Sequence, residues 1–326
     1  METSTTRERA PGSQRPLAAV LVGLAAASLV GAGAFWAATA PKPRFPRNHW
    51  ETIEPGGDAA RGRIAFEAGG CSSCHATPGQ PDRLKLGGGL ALKSPFGVFY
   101  APNISPDRRH GIGGWKVVDL ANAMLAGVSP EGAHYYPAFP YTSFQRVTLE
   151  DVRDLMAFLR TLAPVAGAAR AHDLGFPFDI RRGVGLWKLL FFDGAPLAPD
   201  PTASPQLSRG RYLVEGLGHC AECHSPRNFL GAVIAGRRFA GGPSPGGKGR
   251  APNITPEASG IGAWSQSDIA ELLASGFTPD GDSVGGDMAE VVRNTAELPP
   301  ADREAIAAYL KSLAPLKSAR RKPAAE

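Results

Sequence analysis

A chain of 326 residues is long enough to bury two separate cores, at the usual ~150 residues per domain. Its 40 glycines and 30 prolines exceed what an ordinary soluble fold uses and imply long stretches of turn and loop. The net charge of +5 comes from interspersed acids and bases with no basic stripe alternating with aromatics, which excludes a nucleic-acid-binding surface.

The first element is Leu17 to Ala40, an uncharged run of 24 residues that, at ~1.5 Å per residue, exceeds the ~30 Å hydrocarbon core of a bilayer. Residues 17–40 are therefore predicted to be a transmembrane anchor. Arg7, Arg9 and Arg15 precede it, so residues 1–16 read as a cytoplasmic tail and everything after residue 41 as extracytoplasmic, with Trp36 at the interface. The competing reading is a signal peptide cleaved after Ala38-Thr39-Ala40. The run is longer than a signal core, and Pro41 directly after the cut is a poor position for a peptidase that binds extended backbone. Both readings export the chain.

Beyond the anchor the sequence repeats itself at an offset of about 149 residues. Arg61-Gly62-Arg63 recurs as Arg209-Gly210-Arg211, Ala101-Pro102-Asn103-Ile104 as Ala251-Pro252-Asn253-Ile254, and the Trp115 motif GIGGW as GIGAW with Trp264. Each copy is predicted to hold three or four short helices: one before its cysteines, a middle one around Asp119–Ala126 or Asp268–Ser275, and an amphipathic closing one, Leu149–Ala163 or Pro300–Ala314. Thr148 with Asp151 approximates a capping box, Pro299 and Pro300 suit a helix start, and both closing helices stop before a proline. No strand pattern stands out. The predicted organisation is domain 1 at 51–164, a connector at 165–204, domain 2 at 205–316 and a disordered tail at 317–326. Within the connector, Arg181 to Phe192 reads equally as an amphipathic helix across the two units or as a loop with buried aromatics.

All four cysteines fall in two Cys-x-x-Cys-His strings, Cys71-Cys74-His75 and Cys220-Cys223-His224, at matching places in the repeat. That spacing lets two thiols add across the vinyl groups of one haem while the adjacent imidazole reaches the iron. A four-cysteine zinc site would bring its pairs into one small module, and a thioredoxin-type dithiol would need a βαβ context that is absent. The expectation is two covalently bound haem c groups.

A sixth iron ligand is often Met, and the chain has four. Met1 is the initiator, and Met124 and Met156 lie on predicted core positions. Met288, in the Gly-rich stretch GDSVGGDMAEVV, is the candidate opposite His224. The same offset puts Phe139 at the corresponding place in the first repeat, so that haem lacks an obvious ligand; His134 and His110 are the nearby alternatives, beside water, a tyrosine or an open position. Trp115 and Trp264, and Asn103 and Asn253, are candidates for haem support, or equally for core packing. Gly242 to Lys248 imitates a phosphate loop but has Gly249 where Ser or Thr is needed. No nucleophile, base and orienting-acid set is visible.

These residues taken together, CxxCH followed by APNISPD, GIGGW and HYYPAFPY, then LVEGLGHCAECHSPRNFLGA, APNITPE, GIGAW and GGDMAEVVRNTAEL, resemble the cytochrome c subunits of bacterial membrane-bound alcohol, aldehyde and gluconate dehydrogenases over about residues 50–316. The resemblance implies an all-α fold of two tandem class I cytochrome c domains behind the anchor, in the periplasm at the bacterial inner membrane. It implies electron transfer in the respiratory chain from a dehydrogenase subunit to quinone or a terminal oxidase. Two departures stand out. Those subunits typically carry three haem sites, and many have Met where this chain has Phe139; the Met288 position matches. The alternative function is a dihaem enzyme, peroxidase-like or acting on sulfur compounds, that uses a first haem without a Met ligand; a non-catalytic subunit is the leading reading.

Overall fold

The computed structural model describes residues 15–168, 170–244 and 249–318. The predicted tails fall mainly on residues 1–14 and 319–326, and the core of the Gly242–Lys248 imitation on residues 245–248, all outside the described residues. The chain divides into two compact units between Ala40 and Pro41. The first holds α1 (Arg15–Ala38), in which Ala19–Ala38 is long and apolar enough to cross a membrane by length and composition.

The second unit is mainly helical and holds both repeats. The first repeat runs through α2 (Trp50–Ile53), α3 (Ala59–Ala68), α4 (Cys71–His75), β1 (Ala91–Ser94), β2 (Gly97–Tyr100), α5 (Val117–Ala126), α6 (Tyr141–Phe144) and α7 (Leu149–Leu159). The connector gives β3 (Asp173–Leu174) and α8 (Gly183–Phe191). The second repeat has α9 (Pro205–Tyr212), continued by a π turn at Leu213–Leu217, then β4 (Gly242–Pro243), β5 (Arg250–Ala251), α10 (Gln266–Ser275), α11 (Asp287–Thr295) and α12 (Pro300–Ser312).

In each repeat the helix before the cysteines crosses the closing helix at a glycine. A Cβ on Gly62 would lie 1.9 Å from the Asp154 carbonyl oxygen, and one on Gly210 1.9 Å from that of Ala305, so only glycine permits the backbones to meet. The neighbouring arginine then clamps the crossing with a two-pronged ion pair, Arg61 to the buried Asp154 (2.7 and 3.2 Å) and Arg209 to Asp302 (2.8 and 2.7 Å). Asp58 and Ser204 cap the two first helices, and Thr148 caps α7 by accepting from the Asp151 amide. The middle helices α5 and α10 both end at a left-handed glycine, Gly127 or Gly276, and matching bridges follow, Val128 to His134 and Phe277 to Ser283. A single core joins both repeats through Phe66, Val118, Val152 and Met156 on one side and Leu213, Val214, Leu217 and Ala307 on the other.

Two sequence expectations are corrected. The chain is not strandless: β1 and β2 pair antiparallel across Pro95-Phe96, and β3 adds to β2. Each of these strands has four residues or fewer, too few for alternation to register. Met288 lies in the first turn of a helix, α11, rather than in a loop.

The connector helix α8 forms and touches both repeats. Trp187 Nε1 donates to the Leu230 carbonyl of the second (3.0 Å), while the buried Lys188 donates to the Ala126 and Gly127 carbonyls of the first (2.7 Å each). The ammonium thereby caps the C-terminus of α5 over the Tyr141 ring, 4.6 Å from its centroid, and Leu186, Leu189 and Leu190 stay exposed on the opposite face.

Replacing Gly62 or Gly210 by Ala is expected to destabilise the holoprotein by roughly 1–3 kcal/mol, read as a lower denaturant midpoint with an unchanged slope. Burial pulls Lys188 down from its ordinary 10.5 to about 7. Between those two values the unfolded lysine keeps a proton that the folded one releases, so stability rises with pH across that window. Lys188→Met is expected to abolish that rise in midpoints measured from pH 7 to 10, and to cost about 1–3 kcal/mol, chiefly for the Ala126 carbonyl, since the Gly127 carbonyl keeps the Tyr135 amide as a donor.

Candidate haem sites

The first site begins at Gly70, whose left-handed backbone (φ 58°) starts the turn of α4. Helical spacing then puts Cys71, Cys74 and His75, at i, i+3 and i+4, on one face. The second site repeats this with the Cys220–Glu222 turn, in which the His224 amide donates to the Cys220 carbonyl at 3.0 Å. At the place of Gly70 stands His219, also left-handed (φ 38°), a conformation that costs a side-chain-bearing residue energy and persists only where its surroundings hold it.

Both histidines are held identically. His75 Nδ1 lies 2.8 Å from the Pro102 carbonyl oxygen and His224 Nδ1 2.8 Å from that of Pro252. A carbonyl can only accept, so Nδ1 carries the proton and Nε2 keeps its lone pair. Burial also holds both imidazoles below their ordinary pKa, favouring the neutral ring that ligates metal.

None of the four cysteines is in a disulfide. Burial pushes Cys71 and Cys220 up to about 12, Cys223 to about 11, and Cys74 in the same direction. A thiol held neutral is a poor thiolate ligand, and among the described residues no group of three or more His, Cys, Asp or Glu could hold a metal ion. Two cysteines and a histidine whose Nε2 keeps its lone pair, together on one turn, would suit a group attached through two thioethers and one imidazole nitrogen.

The other predicted residues fall at varying removes. Asn103 uses its amide on the Val165 (2.7 Å) and Gly167 (3.0 Å) carbonyls and accepts from the Ser105 amide; Asn253 donates to the Leu316 carbonyl (2.7 Å) and accepts from the Thr255 amide. Both amides tie the loop carrying the proline carbonyl to the chain just past the closing helix, so they act on the haem site through the histidine. Trp115 and Trp264 are half-buried against the shared core, as are Phe139 and Met288. Phe139 meets Tyr135 and Phe144 edge-on, with centroids 5.8 and 5.6 Å away. His134 is buried and offers its carbonyl to Arg181, while His110 Nδ1 accepts from the Gly167 amide at 3.3 Å.

Sequence reasoning missed Pro102 and Pro252 as histidine partners. The signal was present, since the Ala-Pro-Asn-Ile string recurs with each Cys-x-x-Cys-His. It also missed Glu222 and Asn294, whose contacts cross between the repeats and leave no local pattern.

The fold and both sites define a protein that binds haem covalently at two equivalent turns. The family described as Cytochrome c matches residues 59–163 and 207–314, and the chain belongs to that family. A dihaem cytochrome c-type protein of Cereibacter sphaeroides is 53% identical over 291 residues, which cover 89% of this chain and 96% of that one. The fructose dehydrogenase cytochrome subunit of Gluconobacter japonicus is 41% identical, and the alcohol dehydrogenase (quinone) cytochrome c subunit of Gluconobacter oxydans is 38% identical. Each alignment covers 78% of this chain but only 52% and 54% of the relative, so the chain spans about half the length of these dehydrogenase subunits. The chain therefore carries two covalently bound haem c groups, and its chemistry is electron transfer.

Proposed function

We infer that the protein is a membrane-tethered electron carrier, taking electrons from a dehydrogenase subunit in the periplasm and passing them to quinone or a terminal oxidase. The observation that carries this reading is the repeated pair of imidazoles, each with Nδ1 fixed on a proline carbonyl and Nε2 left for iron. Cys71 and Cys74 would hold one haem and Cys220 and Cys223 the other, with His75 and His224 as the imidazoles, and Met288 as the thioether, that would bind iron. When bound, the haem iron supplies a one-electron couple. The protein's part is to keep the histidine tautomer and plane fixed, so that little rearranges as charge changes. The apolar α1 supports the tether, with the N-terminus cytoplasmic by its three arginines and the haem domains, 51–164 and 205–316, outside.

A second reading rests on Phe139, which has no donor atom at the place of Met288. A first haem open on that side would bind small ligands, as a peroxidase-like enzyme or one acting on sulfur compounds does.

Haem counted by pyridine haemochrome is expected to fall from two per chain to one in Cys71→Ala/Cys74→Ala and likewise in Cys220→Ala/Cys223→Ala. Met288→Ala is expected to convert one low-spin haem to high-spin. Rapid cyanide or carbon monoxide binding to the wild-type first haem, with peroxide turnover lost in His75→Ala, would favour the enzyme; an inert, low-spin first haem favours the carrier.

A further inference from the structure

Neither Cys-x-x-Cys-His turn is completed by its own repeat. Asn294, on α11 of the second repeat and 1% exposed, sits on the first turn. Its Oδ1 accepts from Ser72 Oγ at 3.0 Å and from Arg83, and its Nδ2 donates to Ser73 Oγ at 2.7 Å and to the Glu290 carbonyl at 2.7 Å. Arg83 is drawn in as well, donating to Ser72 Oγ at 2.8 Å. The amide is fully used, and two of its four bonds go to the residues between Cys71 and Cys74.

The reverse contact is made by α6 of the first repeat. Thr142 Oγ1 and Ser143 Oγ donate to Glu222 Oε1 at 2.6 and 3.0 Å, and Glu222 lies between Cys220 and Cys223. Arg227 donates to the other carboxylate oxygen at 2.7 Å. A third contact ties the starts of the two turns: His219 Nε2 lies 3.3 Å from the Gly69 carbonyl, and its ring meets Phe144 at 5.6 Å. By the repeat offset α6 and the end of α11 correspond, so the same element of each repeat holds the other repeat's turn.

We propose that Asn294 and the Thr142–Ser143 hydroxyl pair are positioning residues acting across the repeats, each setting the redox potential of the haem bound by the other repeat. This rests on the assignment of the two turns as haem-binding. The physical route is charge. Asn294 holds the Arg83 guanidinium against the first turn, where a cation disfavours the oxidised iron; the two hydroxyls disperse the Glu222 carboxylate charge beside the second turn, where an undispersed anion favours it.

The test is a spectroelectrochemical titration of the full-length holoprotein, in which the wave altered by Met288→Ala marks the second haem. Asn294→Ala is expected to move the first haem's wave to lower potential by more than it moves the second's. Thr142→Val/Ser143→Ala is expected to move the second haem's wave to lower potential by more than the first's, and Thr142→Ser/Ser143→Thr, which keeps both hydroxyls, to leave both waves at wild-type positions. Shifts confined to the haem of the mutated repeat, or two unmoved waves, overturn the proposal. Haem counts below two in the wild type would instead defeat the assignment beneath it. If Asn294→Ala fails to load haem, Asn294→Asp, which keeps Oδ1 for Arg83 but removes the Nδ2 donor, is measured in its place. The added carboxylate beside the first turn is expected to move the first haem's wave to lower potential by more than the second's, and an unmoved first wave in Asn294→Asp overturns the proposal.

Discussion

An imidazole serves an iron only while one nitrogen keeps its lone pair and the ring keeps its plane. In both repeats that duty falls on one backbone carbonyl, Pro102 or Pro252, 2.8 Å from the histidine Nδ1. The following asparagine anchors that carbonyl to the chain just beyond the closing helix, at Val165 or Leu316. The closing helix is in turn fixed by the glycine crossing and its arginine clamp. The path from Gly62 through Asp154 and Val165 to Pro102 makes the histidine's orientation a property of the whole repeat, and the same path from Gly210 serves His224.

On this common scaffold the repeats diverge where the sixth ligand and the start of the turn would sit. Met288 lies in the first turn of a helix of nine residues, whereas Phe139 is followed by Pro140 and a helix of only four. Phe139 is not idle: its edge contact with Phe144 leads to His219, so the residue lacking a thioether helps form the boundary between repeats. His219 in turn occupies a left-handed position that its counterpart fills with Gly70. The strain of that backbone is tolerated because Gly69 and Phe144 of the first repeat hold the ring. The residue without a thioether and the contact at the boundary between repeats are thus linked through Phe144.

What the sequence made legible was whatever is local or periodic. The Cys-x-x-Cys-His turns, the cap at Thr148, the helix-start proline Pro300 and the 3.6-residue pattern of α7 and α12 are each written within about a dozen residues, and the internal repeat is periodic. The hairpin of β1 and β2 was hidden because its strands span barely two alternations, and the first turn of α11 because Gly285 and Gly286 read as loop. Asn103 and Asn253 were legible as repeated residues but not as supports of the histidine loop, since their partners lie some 60 positions away. Asn294 and Glu222 were illegible for a stronger reason. Their partners are in the other repeat, and nothing in a single sequence says how two repeats face each other.

Length and the internal repeat argued for two units, and the Cytochrome c family matches the chain twice, but the two domains pack together as one compact unit. The shared core explains part of this, but apolar contact is non-directional and would tolerate sliding. The polar contacts would not: Asn294 has all four hydrogen-bonding positions occupied, and Glu222 is bound on both oxygens, in sites where an unpaired amide or carboxylate costs more than its bonds return in water. Lys188 adds a third fixed point, because α8 cannot move without withdrawing its amine from the Ala126 and Gly127 carbonyls at the end of α5. Directional bonds between the repeats thus hold the two Cys-x-x-Cys-His turns in one register, a constraint that neither the duplication nor the shared apolar core supplies.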